Sequence, residues 1–226
     1  MTMPGVCHDA CAVCGAVSEQ THIVSNTIVG PPDLDGRSPL EMGRFPLDWW
    51  MHRCPHCGYC AVEISEAAAG AGEAVRSEAY RQQLADPLMP DLARSFLCSA
   101  LVANAAGGPG SREVVSALLC AAWVCDDAGD APAAVRCRAR AASVLEALRA
   151  AGGSYADNEP SADDSLLADL YRRAGRFEEA GAAARAGLRR ASTAFSHELL
   201  ELQLRLVSAR DTAAHDCDEV VADQGE

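Results

Sequence analysis

Lysine is absent: all nineteen basic residues of this 226-residue chain are arginine. Without an ε-amino group there is no Schiff-base lysine, no P-loop lysine and no Ser–Lys dyad, whatever the fold. Other catalytic signatures are missing as well. No HxE precedes a PCxxC, the arrangement a zinc deaminase needs to move protons, and neither HExxH nor GxSxG occurs. Long apolar runs are missing too; the longest, Val114 to Cys125, is too short to cross a bilayer, so no membrane association is expected. The N-terminus carries no basic segment followed by an apolar stretch, so no targeting signal is read there. Aromatics are only 5% of residues although 49% are hydrophobic, much of that alanine, which suits closely packed helices.

Base is also scarce relative to acid. The formal charge of −13 repels a phosphate backbone unless arginines are segregated on one face. The first 64 residues hold Arg37, Arg44 and Arg53 against seven acids, so that segment is not expected to bind nucleic acid. Arg172, Arg173, Arg176, Arg185, Arg189 and Arg190 cluster locally, and they read as a solvated helical face.

Cysteine, by contrast, is abundant. Eleven thiols, an odd number without a secretion signal, read as reduced side chains and metal ligands in a cytoplasmic protein. Four of them fall in two CxxCG knuckles, Cys11-Ala12-Val13-Cys14-Gly15 and Cys54-Pro55-His56-Cys57-Gly58. Two residues between thiols aim both at one metal, and the following glycine lets backbone N–H groups approach sulfur. Cys11, Cys14, Cys54 and Cys57 are therefore the expected ligands of a structural zinc. The 39 residues between Cys14 and Cys54 exceed the usual ribbon spacing of about 15 to 20. Closure entropy grows only logarithmically with loop length, so the excess costs on the order of 1 kcal/mol. Cys7, Cys60, His8, His52 and His56 lie near enough in sequence to be alternative ligands, although Cys7 and Cys60 are expected to be small buried side chains. CPHC also occurs in thioredoxin-like oxidoreductases, but the βαβ framework that reading needs does not follow here.

The composition divides the chain into 1–64, 65–212 and 213–226. In the first segment Thr21 to Val29 reads as a strand, Gly30 to Pro46 as a long loop, and Leu47 to Arg53 as a return strand with Trp49 and Trp50 on opposite faces. The second segment reads as helices over Glu66–Leu84, Asp91–Ala105, from a Ser111 cap, and over Ala131–Ala150. Further helices start at Ser161 and Phe177, and a last long one is marked by Leu199 to Val207. Cys98, Cys120, Cys125 and Cys137 lie on these helices as core residues. Residues 213 to 226 read as an acidic, fraying tail.

Leu166 to Ala180 resembles a tetratricopeptide repeat, through Ala168, Tyr171, Gly175, Phe177, Ala180 and Ala184. A weaker copy runs through Ala122, Cys125, Gly129, Ala134 and Arg138, but the two turn glycines are 46 residues apart where the repeat period is about 34. With its CxxCG knuckle, Pro-rich loop and CPHCGY leading into helices, the chain as a whole resembles a bacterial family of uncharacterised proteins. That family joins a split zinc ribbon to a tetratricopeptide-like helical region. Cys60 departs from its pattern, as does the alanine-rich helical half. The resemblance implies a mainly α architecture: a small β zinc ribbon followed by helical hairpins.

A closed thiolate site, helical hairpins and no catalytic constellation point to a non-enzymatic adaptor with a protein or peptide partner. The alternative is a metal or thiol-redox sensor, prompted by Cys7 and Cys60 beside the knuckles.

Overall fold

The computed structural model describes residues 3–38, 46–107, 110–156 and 159–222. It is mainly α, with a small β region at the N-terminus. Two compact units are distinguished, Met1–Thr27 with Phe45–Cys137, and Ile28–Arg44 with Arg138–Glu226. These are units of packing, whereas the segments ending at 64 and 212 mark changes in sequence character. Among the described residues no helix is long and apolar enough to cross a membrane.

In the first unit, β1 (Met3–Ala10) pairs antiparallel with β2 (Val17–Ser25), and β3 (His52–Arg53) with β4 (Cys60–Ala61). Each hairpin carries one CxxCG knuckle at its tip. The strand expected over Thr21–Val29 begins four residues earlier and ends at Ser25, and β1 was not foreseen. Most of β1 is exposed, so it lacks the apolar alternation by which a half-buried strand is recognised. The expected return strand shrinks to His52–Arg53. Residues 47–50 form a turn, in which the Met51 N–H donates to the Leu47 carbonyl. The two-face argument for Trp49 and Trp50 therefore fails, and Trp50 instead sets its ring 6.3 Å from that of Phe96.

Helices α1 (Ala71–Arg76), α2 (Glu78–Ala85), α3 (Asp91–Gly107) and α4 (Arg112–Asp127) complete most of this unit. A single helix was expected over 66–84, but Ser77 leaves the helical region and its side chain accepts from the Tyr80 N–H, starting a new helix. Ser111 caps α4 as expected, accepting from Val114 N–H. Helix α5 (Ala131–Ala150) matches its expected limits, and the boundary between the units falls within it.

The second unit contains α6 (Ala162–Arg173), α7 (Phe177–Leu188), α8 (Ala194–Ser208) and α9 (Asp218–Ala222). Helices α6 and α7 form a hairpin turning at Gly175 (φ 74°), with Ala168, Tyr171, Ala180 and Ala184 buried. The hairpin is present; no repeat is identified.

Two expectations change here. Residues 213–226 were expected to fray, yet Leu34 N–H donates to the His215 carbonyl and Cys217 N–H to that of Pro32. Val220 is buried with Leu34, Leu202 and Leu206. An acidic composition hid one well-placed valine; residues 223–226 lie outside the described set. The Gly30–Pro46 loop likewise contributes to packing through 33–37, while 39–45 lie outside the described residues.

The arginine cluster is not uniformly solvated either. Arg172 is fully buried, donating to Asp169, Gln203 and the carbonyls of Asp211 and Ala213. Arg173 pairs with Asp35 at 2.9 Å, and Arg138 reaches the same carboxylate oxygen at 3.3 Å. Planar guanidinium groups suit such shared, buried contacts better than lysine does. Burial pushes the Asp169 carboxyl above its ordinary range, and the Asp35 carboxylate pushes the same way, against the pull of Arg172.

Removing one partner of a buried pair costs about 3–5 kcal/mol, because the remaining charge loses its compensation. Asp35→Ala is expected to lose stability of that order in urea denaturation. A loss like that of a surface substitution, under ~0.5 kcal/mol, would contradict the role given to Asp35.

Candidate metal centre

The two knuckles have the same backbone design. Cys11 N–H donates to the Ala16 carbonyl and Gly15 N–H to that of Cys11; Cys54 N–H donates to Tyr59 and Gly58 N–H to Cys54, all within 2.7–2.9 Å. Gly15 and Gly58 take left-handed φ of 74° and 78°, which side chains other than glycine adopt only with strain. At Gly58 a Cβ would also lie 2.7 Å from the terminal methyl of Leu84, which would have to move aside.

The knuckles bring four sulfurs together. Cys11 Sγ lies 3.7 Å from Cys57 Sγ, and Cys14 Sγ lies 3.7 Å from Cys54 Sγ. All four lie within 4.8 Å of one another. Four thiolates bound at ~2.3 Å to a tetrahedral ion stand ~3.8 Å apart, whereas disulfide sulfurs are ~2.05 Å apart. The spacing thus fits four ligands around one metal ion. The spacing of the two CxxCG motifs pointed to these same four residues.

Backbone N–H groups turn toward the sulfurs, from Cys14 and Val13 to Cys11 and from Cys57 and His56 to Cys54. Burial pushes the Cys54 thiol up, but those N–H groups and the Cys14 and Cys11 thiols outweigh it and bring Cys54 down to about 7. At Cys11 and Cys57 burial prevails and both thiols are raised. Cys54 is thus brought into the range where a thiol ionises near neutrality, and so becomes an anionic ligand available to a cation.

The second knuckle is fastened to the helices. Tyr80 Oη donates to the Gly58 carbonyl at 2.9 Å and accepts from Cys60 N–H at 3.0 Å. Arg53 grips Asp91 through two bonds of 3.0 and 2.7 Å. Tyr59 Oη donates to the Glu66 carbonyl.

The neighbouring candidates stay outside the four-sulfur group. Cys60 is buried, as expected, and the Cys98 thiol beside it holds its thiol below the ordinary range. Cys7 is exposed on β1, against expectation, because that strand has little cover. His8 and His56 are exposed. His52 is buried, and since a carbonyl only accepts, its Nε2–H donates to Thr21 at 3.0 Å. Cys98, Cys120, Cys125 and Cys137 are all buried, as core residues should be. A group missed in the sequence is Asp9, His22 and Glu63; their wide separation gives no spacing signal.

No protein-family model matches the chain, and comparisons with curated proteins and with solved structures found no match.

In protein stripped of metal, ultraviolet thiolate absorbance is expected to include an ionisation at about pH 7 that is lost in Cys54→Ser. Acidification through that range protonates this ligand, so metal retention should fall with pH. Absence of an absorbance change near pH 7 in wild type, or a change there that Cys54→Ser leaves in place, would contradict this electrostatic picture.

Proposed function

We propose that the chain is a non-enzymatic adaptor whose ribbon is ordered by zinc on Cys11, Cys14, Cys54 and Cys57. Four thiolates leave no open coordination position for water, which favours a structural over a catalytic metal. Tetrahedral sulfur also suits iron, and the colour of an iron–thiolate centre separates the two.

The observation that carries the adaptor reading is a cavity of about 660 Å³ in the first unit. Trp50, Met51 and Tyr59 wall it from the ribbon side, Phe96 and Val102 from α3, and Ser116 from α4. Its lining is mainly apolar, and it has the size of a site that takes a bulky apolar group. The partner envisaged is a protein or peptide segment that inserts such a side chain, the mode in which interface anchors contribute most. Metal supports the wall indirectly, because the knuckle that binds it leads through Gly58 and Tyr59 into the lining.

A thiol-redox sensor, the reading prompted by Cys7 and Cys60, is less well supported: Cys7 is exposed but lies outside the four-sulfur group. Cys60, the other surplus thiol, is buried, and reactive cysteines need access as well as a low pKa.

The test is affinity purification at endogenous expression with wild type and Ala103→Trp, which fills the cavity from α3. The same protein partner should be recovered repeatedly with wild type and be lost with the variant. Recovery of no partner, or of a partner that Ala103→Trp retains, would overturn the reading.

A further inference from the structure

We propose that Asp9, His22 and Glu63 form a second metal site, open to solvent, that binds a divalent transition-metal ion. One ligand atom from each side chain lies within 4.8 Å of the others, and all three residues are partly buried. His22 Nε2 stands 2.6 Å from Asp9 Oδ2. An ion bound at ~2.0–2.2 Å to nitrogen and oxygen needs ligand atoms roughly 3.0–3.5 Å apart, a spacing that small side-chain rotations reach from here.

Electrostatics give a second, independent reason. Asp9 and Glu63 bring two carboxylates into one partly buried cluster, and among the described residues no arginine pairs with either. His22 is the sole basic group within this cluster, and Ser65 Oγ donates to Glu63 at 2.7 Å. Like charges held close together are relieved by a cation. A divalent ion supplies that relief for both carboxylates at once.

The imidazole is also oriented. The His22 ring lies 4.2 Å from that of His52, tilted by 52°, and the buried His52 is itself fixed by its bond to the Thr21 carbonyl. Packed against this fixed neighbour, the imidazole holds its Nε2 toward Asp9. Glu63 is positioned from the other side, because the next residue, Ile64, accepts at its carbonyl from Ala12 N–H at 2.8 Å. One imidazole with two carboxylates is a borderline-to-hard donor set that suits zinc, manganese or ferrous iron and leaves coordination positions for water. It is therefore chemically distinct from the four-thiolate group.

Cobalt(II) titration of metal-stripped protein reads the two sites separately. Thiolate coordination gives an intense sulfur-to-metal charge-transfer band; oxygen and nitrogen coordination adds only weak d–d absorption. Wild type should take two equivalents, the second without further growth of the charge-transfer band. Asp9→Asn with Glu63→Gln should stop at one equivalent, its undiminished charge-transfer band showing that the ribbon still folds. His22→Gln should weaken the second equivalent by about tenfold or more. Saturation of wild type at one thiolate-bound equivalent, or a second equivalent that survives in the double variant, would overturn the proposal. Weak absorption without the charge-transfer band would leave this site standing and remove the four-thiolate one.

Discussion

Four sulfurs meeting at tetrahedral spacing are the constraint on which the N-terminal unit depends. The two hairpin tips that supply them are short, and the β3–β4 pairing spans only two residues on each strand. Two-stranded hairpins of this kind are marginal in water on their own. Small modules compensate for a limited core with metal ligation, and the binding energy of the ion then becomes folding energy. The identical hydrogen-bond pattern of the two knuckles shows how little sequence this requires: two thiols, a two-residue spacer and a glycine free to take positive φ.

From the second knuckle the order passes into helices through ordinary polar contacts. Tyr80 is central: one hydroxyl serves the Gly58 carbonyl and the Cys60 N–H, while the Gly58 turn sits against Leu84. A buried hydroxyl with both a donor and an acceptor role satisfied is specific as well as stabilising. Tyr59, between the two residues that Tyr80 holds, accordingly ends as cavity wall and not as solvent-exposed loop.

Much of the helical layout was legible because it follows from local rules. Ser111 as a cap, Gly175 at a turn and the span of α5 all depend on nearest neighbours. The four thiols were legible for the same reason, each pair being defined within four residues. What escaped the sequence was non-local. β1 lacks apolar alternation because it is exposed; Val220 looks like part of an acidic tail until Leu34 is seen against it. Arg172 and Asp35 look like surface charges, yet each also finds partners far along the chain. Asp9, His22 and Glu63 come together only when both hairpins are formed.

The central claim is that one metal ion joins both knuckles through sulfur alone. X-ray absorption at the zinc edge of protein loaded with a single equivalent addresses it directly. The expected result is a single shell of four sulfurs at ~2.3 Å. A shell containing nitrogen or oxygen, or only two sulfurs, would mean that the knuckles do not share the ion.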